Sequence, residues 1–252
     1  MDTPAVRLSG VGVTYPNGAT ALIGVDLTIR SGERVALVGP SGGGKSTLLN
    51  LLSGRVLLDG ARVTGAVEVF GADPGALRGR RRRRHAVRVG TIRQDLDLVG
   101  PLRVVHNVNA GRLGAWPTWR AVASLVRPGE RDEAIRAIEA VGLEPALLEV
   151  TADELSGGQR QRVAVARVIR QAPDLLLADE PVASLDPGLG ELVLELIVDP
   201  RSPWSTSVVS LHQPEFARRF ATRVVGVRAG SIAFDVPADQ LTDRHLADVY
   251  ER

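Results

Sequence analysis

Cysteine is absent from this chain of 252 residues, and aromatic residues make up only 4% of it. Without cysteine the chain can form neither a disulfide framework nor a thiolate metal site, which suits a reducing cytoplasm. Long apolar runs are also missing: the stretch from 192 to 198 is short and contains Glu195, whereas a membrane helix needs about 20 apolar residues. The N-terminal residues lack the basic and apolar regions of a secretory signal, so we expect a globular cytoplasmic protein.

Lysine is nearly absent: it occurs once, at Lys45, so the other 30 of the 31 basic residues are arginines. A compact ammonium can point into a tight ring of backbone amides where a planar guanidinium would not fit, which gives this exception a physical reason. The pI of about 9.6 does not indicate nucleic-acid binding, because the net charge is only +2 and charge alone does not identify such a partner.

The stretch around Lys45 is typical of a strand, a glycine-rich loop and the start of a helix. In such a loop the glycines let backbone N–H groups turn toward nucleotide phosphates, and the helix adds the positive end of its dipole. We expect Lys45 to reach the β- and γ-phosphates, Ser46 to bind Mg²⁺ and Thr47 to lie near the α-phosphate. The nucleotide-binding residues predicted here are Gly39, Pro40, Ser41, Gly42, Gly43, Gly44, Lys45, Ser46 and Thr47.

Before this loop, residues 5–15 and 21–30 show β-like alternation around the turn signal Pro16-Asn17-Gly18, which predicts an antiparallel start. Tyr15 precedes the turn. Its ring offers a flat face on which an adenine could stack, and the alternative is an aromatic residue in a half-buried strand.

After the loop, residues 65–70 and 87–92 read as two further strands, with an unbroken arginine run at 80–84 between them. That run indicates a solvated helix or loop face; contact with anionic lipid headgroups is the alternative. Residues 95–155 show little alternation, and Glu130 to Leu143 has helical periodicity, which predicts a helical insert. It holds Trp116 and Trp119, which are either buried aromatics or part of a protein-binding surface.

Two more stretches predict residues that take part in binding or catalysis. Ser156 precedes Gly157 and Gly158 at the start of a helical pattern, so it can cap that helix and leave backbone N–H groups open to an anion. The buried-strand run 175–178 ends at Asp179 and Glu180. There Asp179 would hold Mg²⁺ and Glu180 would polarise the attacking water. A further strand at 207–211 ends at His212, at the edge where ligands of open α/β sheets bind.

Together these stretches resemble the ATP-binding subunit of ABC transporters, in the family's order and over nearly the whole chain. The matching stretches are GPSGGGKST for Walker A, Gln94 for the Q-loop, LSGGQ for the signature, LLLADE for Walker B, Ser184-Leu185-Asp186 for the D-loop and His212 for the switch histidine. The resemblance implies that Glu180, His212 and Lys45 are catalytic, that Gln94 helps to hold Mg²⁺ and nucleotide, and that Ser156, Gly157, Gly158, Gln159 and Asp186 contact ATP. It also implies ATP and Mg²⁺ as cofactors.

The implied fold is α/β, with an ABC-type P-loop core that has a RecA-like mixed sheet, an antiparallel β part and a helical subdomain. The expected division is 1–93 and 156–235 for the ATP-binding core, 94–155 for the helical signature subdomain and 236–252 for a C-terminal tail. The implied partners are a second copy bound head to tail, a transmembrane permease at the cytoplasmic face of the membrane and, indirectly, a solute-binding protein. No nucleic-acid partner is expected.

Phrases such as VASLDP and VSLHQ are similar to ATPases of phosphonate importers. The chain departs from that subfamily at Arg93, Arg103, His106 and 201–207, so the transported substrate could also be a different one. A soluble ABC-type ATPase that acts on nucleic acid or ribosomes is the other alternative, although the chain lacks the long inserts of such proteins.

Overall fold

The computed structural model describes residues 4–126, 129–182, 185–199, 202 and 204–250. The strands are β1 Val6–Thr14, β2 Thr20–Ile29, β3 Arg34–Val38, β4 Arg62–Val69, β5 Val89–Ile92, β6 Leu175–Asp179, β7 Thr206–Ser210, β8 Arg223–Arg228 and β9 Ser231–Pro237. The helices are α1 Lys45–Leu52, α2 Gly79–Arg88, α3 Val104–Asn109, α4 Thr118–Val126, α5 Arg131–Ala140, α6 Gly157–Gln171, α7 Pro187–Val198, α8 Pro214–Phe220 and α9 Asp243–Tyr250.

The chain divides into two compact units, the first formed by residues 1–82, 177–180 and 205–252 and the second by 83–176 and 181–204. The division into functional subdomains at 94 and 155 stays a prediction. No described helix has the length and apolar character needed to cross a bilayer.

In the first unit, β1 lies between β2 and β4 in an antiparallel sheet. The predicted turn joins β1 to β2: the Tyr15 N–H donates to the Ala19 carbonyl over 2.9 Å, and Gly18 adopts a φ of 84°, which glycine reaches without strain. The second sheet of this unit has the order β6, β7, β3, β8 and β9. Of β6, only the residues from 177 onward belong to this unit. Because β3 is central, Val35–Val38 is buried throughout, as in strands that are covered on both faces.

Strands β7 and β8 run parallel to β3, which brings their carboxyl ends to one edge. In the register, Leu37 pairs with Ser210, and the Leu211 N–H donates to the Leu37 carbonyl over 3.0 Å. The loop after β3 and the residues after β7 therefore start side by side.

The second unit is mainly helical, as expected for the insert. Helix α6 packs on α3 and α5, with Val163, Val165 and Ile138 fully buried. Helix α5 ends before Gly142, whose φ of 68° allows the chain to turn away.

The predicted strand at 87–92 starts two residues later than expected, at Val89. Helix α2 continues to Arg88, and the Gln171 side-chain amide donates to the carbonyls of Ala86, Val87 and Val89. A contact with α6 thus sets this boundary, which local periodicity could not show.

Candidate functional site

The loop from Gly39 to Thr47 connects β3 to α1 in the first unit. Two of its glycines are required by space as well as by conformation. A Cβ on Gly39 would lie 2.0 Å from the Val227 carbonyl oxygen, and one on Gly44, whose φ is 112°, would lie 2.8 Å from the Ala21 carbonyl oxygen. Helix α1 starts at Lys45, so the N–H groups of its first turn have no preceding helical carbonyl to bind. The loop is therefore shaped to present amides to an anion.

The start and the middle of this loop are held by other elements of the same unit. The Gly39 N–H donates to the Tyr250 hydroxyl over 3.1 Å, and the Gly230 N–H donates to the Gly43 carbonyl over 2.9 Å. Burial raises the pKa of Tyr250, so its hydroxyl stays neutral near pH 7. Helix α9 and the β8–β9 turn thus hold the loop in shape.

Lys45 lies within this loop, with only 4% of its surface exposed. Its Nζ donates to the carbonyls of Gly39 over 2.8 Å and Pro40 over 3.0 Å. Burial lowers the pKa of Lys45, while the negative charges of Glu180 and Asp179 oppose that shift. The ammonium therefore lies in the field of the acidic pair and is already directed into the loop.

The acidic pair follows β6, next to the end of β7. The Ser210 hydroxyl donates to Asp179 Oδ1 over 2.6 Å and accepts the Glu180 N–H over 2.8 Å. Glu180 has a φ of 48°, an uncommon conformation for a residue other than glycine. Its Oε1 lies 2.5 Å from His212 Nε2. The two carboxylates thus act on the Lys45 ammonium, and the imidazole holds one of them.

Ser210 is the functional residue that sequence reasoning missed. It is completely buried. Its hydroxyl contacts the side chain of Asp179 and the backbone N–H of Glu180. The only sequence signal was a polar residue two positions before His212 at the end of an apolar strand. Because core strands also contain isolated serines, that signal did not distinguish it.

Tyr15 contacts the phosphate loop directly. Its hydroxyl lies 3.3 Å from Thr47 Oγ1, and the residue is half-buried just after β1. This contact ties the ring to the loop, whereas stacking on adenine stays a prediction.

In the second unit, Ser156 caps α6 as predicted. Its Oγ accepts the Gln159 N–H over 3.2 Å, and Gln159 Oε1 accepts the Ser156 N–H over 2.9 Å, which forms a capping box. Ser156 and Gly157 are exposed. The start of α6, with Gly157 and Gly158, therefore presents its amides to solvent.

Gln94 and Asp186 also belong to the second unit. Gln94 is exposed after β5, and Asp186 caps α7 by accepting the Leu189 N–H over 3.0 Å. Ser184 of the same predicted motif lies outside the described residues, as do Arg201 and Pro203 of the departing stretch 201–207.

Arg93 departs from the aromatic residue expected before Gln94, and the second unit gives it a role. It pairs with Asp95 over 3.2 Å and with Asp97 over 3.4 Å, while Arg167 donates to the carbonyls of Leu96 and Asp97. These contacts hold the turn after Gln94. The second departure, Arg103, pairs with Glu149 over 3.0 Å.

The two tryptophans of the helical insert differ. Trp116 is buried, at 3% exposure, under the Arg120 guanidinium, whose carbon lies 5.0 Å from the ring centroid. Trp119 is 72% exposed on α4. Trp116 is therefore a buried aromatic residue, whereas a protein-binding surface at Trp119 stays a prediction.

The model of the ABC transporter family matches residues 22–183 of this chain. The chain is 41% identical over 246 residues to the phosphonates import ATP-binding protein PhnC 1 of Pseudomonas savastanoi pv. phaseolicola, covering 97% of this chain and 91% of that protein. It is 38% identical to the phosphonates import ATP-binding protein PhnC 2 of Halalkalibacterium halodurans, covering 98% of this chain and 99% of that protein.

Solved structures give the same result. A dimeric bacterial ABC transporter cassette matches with a TM-score of 0.78 and 29% identity, covering 94% of this chain and all of that one. A dimeric ATP-binding cassette in a post-hydrolysis state, bound to ADP and Pi, matches with a TM-score of 0.77 and 30% identity, again covering 94% of this chain and all of that one. The fold class predicted from the sequence is thereby confirmed, and the chain belongs to the ABC transporter family.

Proposed function

We propose that this chain is the ATP-hydrolysing subunit of an ABC importer. The observation that carries the proposal is the cluster in the first unit: a buried ammonium in a glycine loop, within the field of an acidic pair whose Glu180 contacts His212. Phosphoryl transfer requires positioned cations on the phosphates and a group that orients the attacking water. This cluster supplies both.

Each residue has a separate task in this mechanism. Lys45 exchanges its carbonyl contacts for the β- and γ-phosphate oxygens, and the first-turn amides of α1 bind the remaining phosphate charge. Glu180 accepts a hydrogen bond from the attacking water. His212 contacts Glu180 at Oε1 and so orients the carboxylate, leaving its other oxygen for the water.

Mg²⁺ fits the oxygen donors at this edge. It typically binds through one or two carboxylates together with substrate phosphates and waters. Asp179 offers a carboxylate whose Oδ1 is held by Ser210, and Ser46 offers an exposed hydroxyl on the first turn of α1. Mg²⁺ bound there would neutralise charge on the transferred phosphoryl group. Gln94 as a further ligand remains part of the proposal.

The second unit would complete the nucleotide site of a second copy. Its exposed, serine-capped α6 start presents amides that suit a γ-phosphate, and Gln159 and Asp186 would line the same contact. Since one chain holds one phosphate loop and one such helix start, a head-to-tail pair would form two identical sites. The cassettes that the chain resembles are dimeric, which supports a pair of copies.

The phosphonate import named for the curated relatives suggests the cargo. We propose that the chain attaches peripherally to a separate permease at the cytoplasmic face of the membrane and draws phosphonates, or a related phosphorus oxyanion, from a solute-binding protein. Closure of the ATP-bound pair would drive the permease, because ATP shifts the equilibrium by as much as it binds the closed form better.

A growth experiment tests the cargo. We expect a strain that lacks this chain to lose growth on a phosphonate as the sole phosphorus source and to regain it with the intact chain, while growth on inorganic phosphate is unchanged. Equal growth on phosphonate with and without the chain would contradict phosphonate as the cargo. ATP hydrolysis by the purified chain, measured in parallel, tests the enzyme separately.

Ser210 gives a sharper prediction about the site. Ser210→Ala should raise the Mg²⁺ concentration for half-maximal ATPase activity by about 10-fold or more, because residues that orient metal ligands typically contribute 10–100-fold. The measurement is a Mg²⁺ titration at saturating ATP, with the fold checked by circular dichroism.

Ser207→Ala is the matched control, because Ser207 lies on the same strand, is also buried and has an Oγ that finds no hydrogen-bond partner among the described residues. Its Mg²⁺ dependence should equal that of the unmodified chain. If both variants gave the same Mg²⁺ curve, Ser210 would have no positioning role.

A further inference from the structure

Basic charge is concentrated in one segment of the chain. Residues 74–94 contain eight arginines and no acidic residue, and since the whole chain has a net charge of +2, the rest carries −6. Helix α2, Gly79–Arg88, lies within this segment and has no buried residue. Its charge was not needed for any step of the ATPase mechanism.

Part of the helix is anchored to the second unit. Arg83 donates to the carbonyls of Leu113 over 3.2 Å and Gly114 over 2.7 Å, and Arg88 pairs with Asp174 over 2.5 Å. The Gln171 amide holds the last turn. These contacts fix the helix through Arg83, Arg88 and its last turn.

The other arginines of α2 are exposed: Arg80, Arg81, Arg82 and Arg84. Within the ranges that the structure describes, none of the four forms an ion pair with a carboxylate, whereas the arginines at 93, 103, 120, 131 and 170 all do. Guanidinium groups match phosphate oxygens in a bidentate geometry. Arg80, Arg81 and Arg84 lie within about 100° of one another around the helix, so this face of α2 is suited to several phosphates at once.

Leu113 places an exposed apolar side chain beside the anchored part of the helix, and α4 of the same unit exposes two more. Leu113, whose carbonyl accepts from Arg83, is 39% exposed, and Trp119 and Val122 on α4 are 72% and 60% exposed. Tryptophan is enriched where a membrane meets water, and a basic surface beside exposed apolar groups is typical of peripheral membrane attachment. The phosphates of a nucleic acid would leave these apolar groups in water.

We propose that the exposed arginine face of α2 is a docking surface for the anionic lipid headgroups of a membrane. This inference rests on the proposed function, which places the chain beside a membrane, and adds a contact that does not pass through the permease. Each cation near an anionic surface contributes about 1 kcal/mol, so three of them change binding by about a hundredfold.

Vesicle co-sedimentation of the full chain tests this surface. The chain should bind vesicles of phosphatidylcholine and phosphatidylglycerol in equal parts, should bind phosphatidylcholine vesicles far less, and should be released as salt rises. Replacing Arg80, Arg81 and Arg84 by glutamine should weaken binding to the anionic vesicles by about a hundredfold.

The matched control replaces Arg30, Arg62 and Arg244 by glutamine, because these arginines are exposed, lie outside α2 and carry the same total charge. It should bind nearly as well as the unmodified chain. Equal losses in the two variants, equal binding to neutral vesicles, or tighter binding to duplex DNA than to anionic vesicles would each overturn the proposal.

ATP hydrolysis without vesicles should be unchanged in both triple variants. If hydrolysis persists while anionic vesicles fail to bind the unmodified chain, the docking surface is wrong and the proposed ATPase stands. If the unmodified chain does not hydrolyse ATP, the proposed function itself fails.

Discussion

Glu180→Gln is expected to lower ATP turnover by about 10² to 10⁴-fold, the range that a positioned general base contributes. Glutamine keeps the size of the side chain and its position at His212, but its neutral amide cannot polarise water as a carboxylate does. ATP binding should survive, because Lys45 and the loop amides remain. The measurements are phosphate release for turnover and a fluorescent nucleotide for binding.

The same variant should accumulate an ATP-bound dimer, since the step that releases the two copies is blocked. Light scattering during size-exclusion chromatography, with ATP and Mg²⁺, measures this. Glu215→Gln is the control, because Glu215 is an exposed carboxylate on α8 of the same unit. Normal turnover in Glu180→Gln would remove Glu180 from its role, and a strictly monomeric variant at every concentration would contradict the proposed pair.

Lys45→Ala is expected to reduce ATPase kcat/KM by about 10² to 10³-fold or more, since removing even one neutral positioned donor from a transition state costs that much. The ammonium is the buried cation of the loop, with its Nζ at 2.8 and 3.0 Å from two loop carbonyls, and its removal leaves the γ-phosphate without that partner. ATP affinity and steady-state hydrolysis measure the loss.

Lys45→Arg separates charge from shape. It keeps the positive charge, but the guanidinium is larger and planar, and the site is closed around a side chain that is only 4% exposed. We therefore expect Lys45→Arg to be nearly as inactive as Lys45→Ala. Thermal unfolding of both variants controls for folding. Activity close to that of the unmodified chain in Lys45→Ala would show that the loop does not bind the transferred phosphoryl group.

Much of the fold could be predicted from local patterns. The turn at Pro16-Asn17-Gly18, the capped start of α6 at Ser156 and the buried strand that ends at Asp179 all appear where the sequence indicates them. Each depends on neighbours within a few residues, so the local sequence carries the information. The first residue of β5, and the burial of Trp116 beside the exposure of Trp119, depend on packing against residues far away in the chain. Local patterns could not give them.

The amino-acid sequence by itself determined the family, the order of the motifs and the single lysine in the phosphate loop, because these require particular residue types at fixed spacings. The tertiary structure alone decided that Ser210 holds Asp179 and Glu180 together, that Arg167 holds the Leu96 and Asp97 carbonyls after Gln94, and that four arginines of α2 lack acidic partners among the described residues. Hydrogen bonds and ion pairs between residues far apart in the chain exist only after the strands and helices have packed, and no local pattern encodes them.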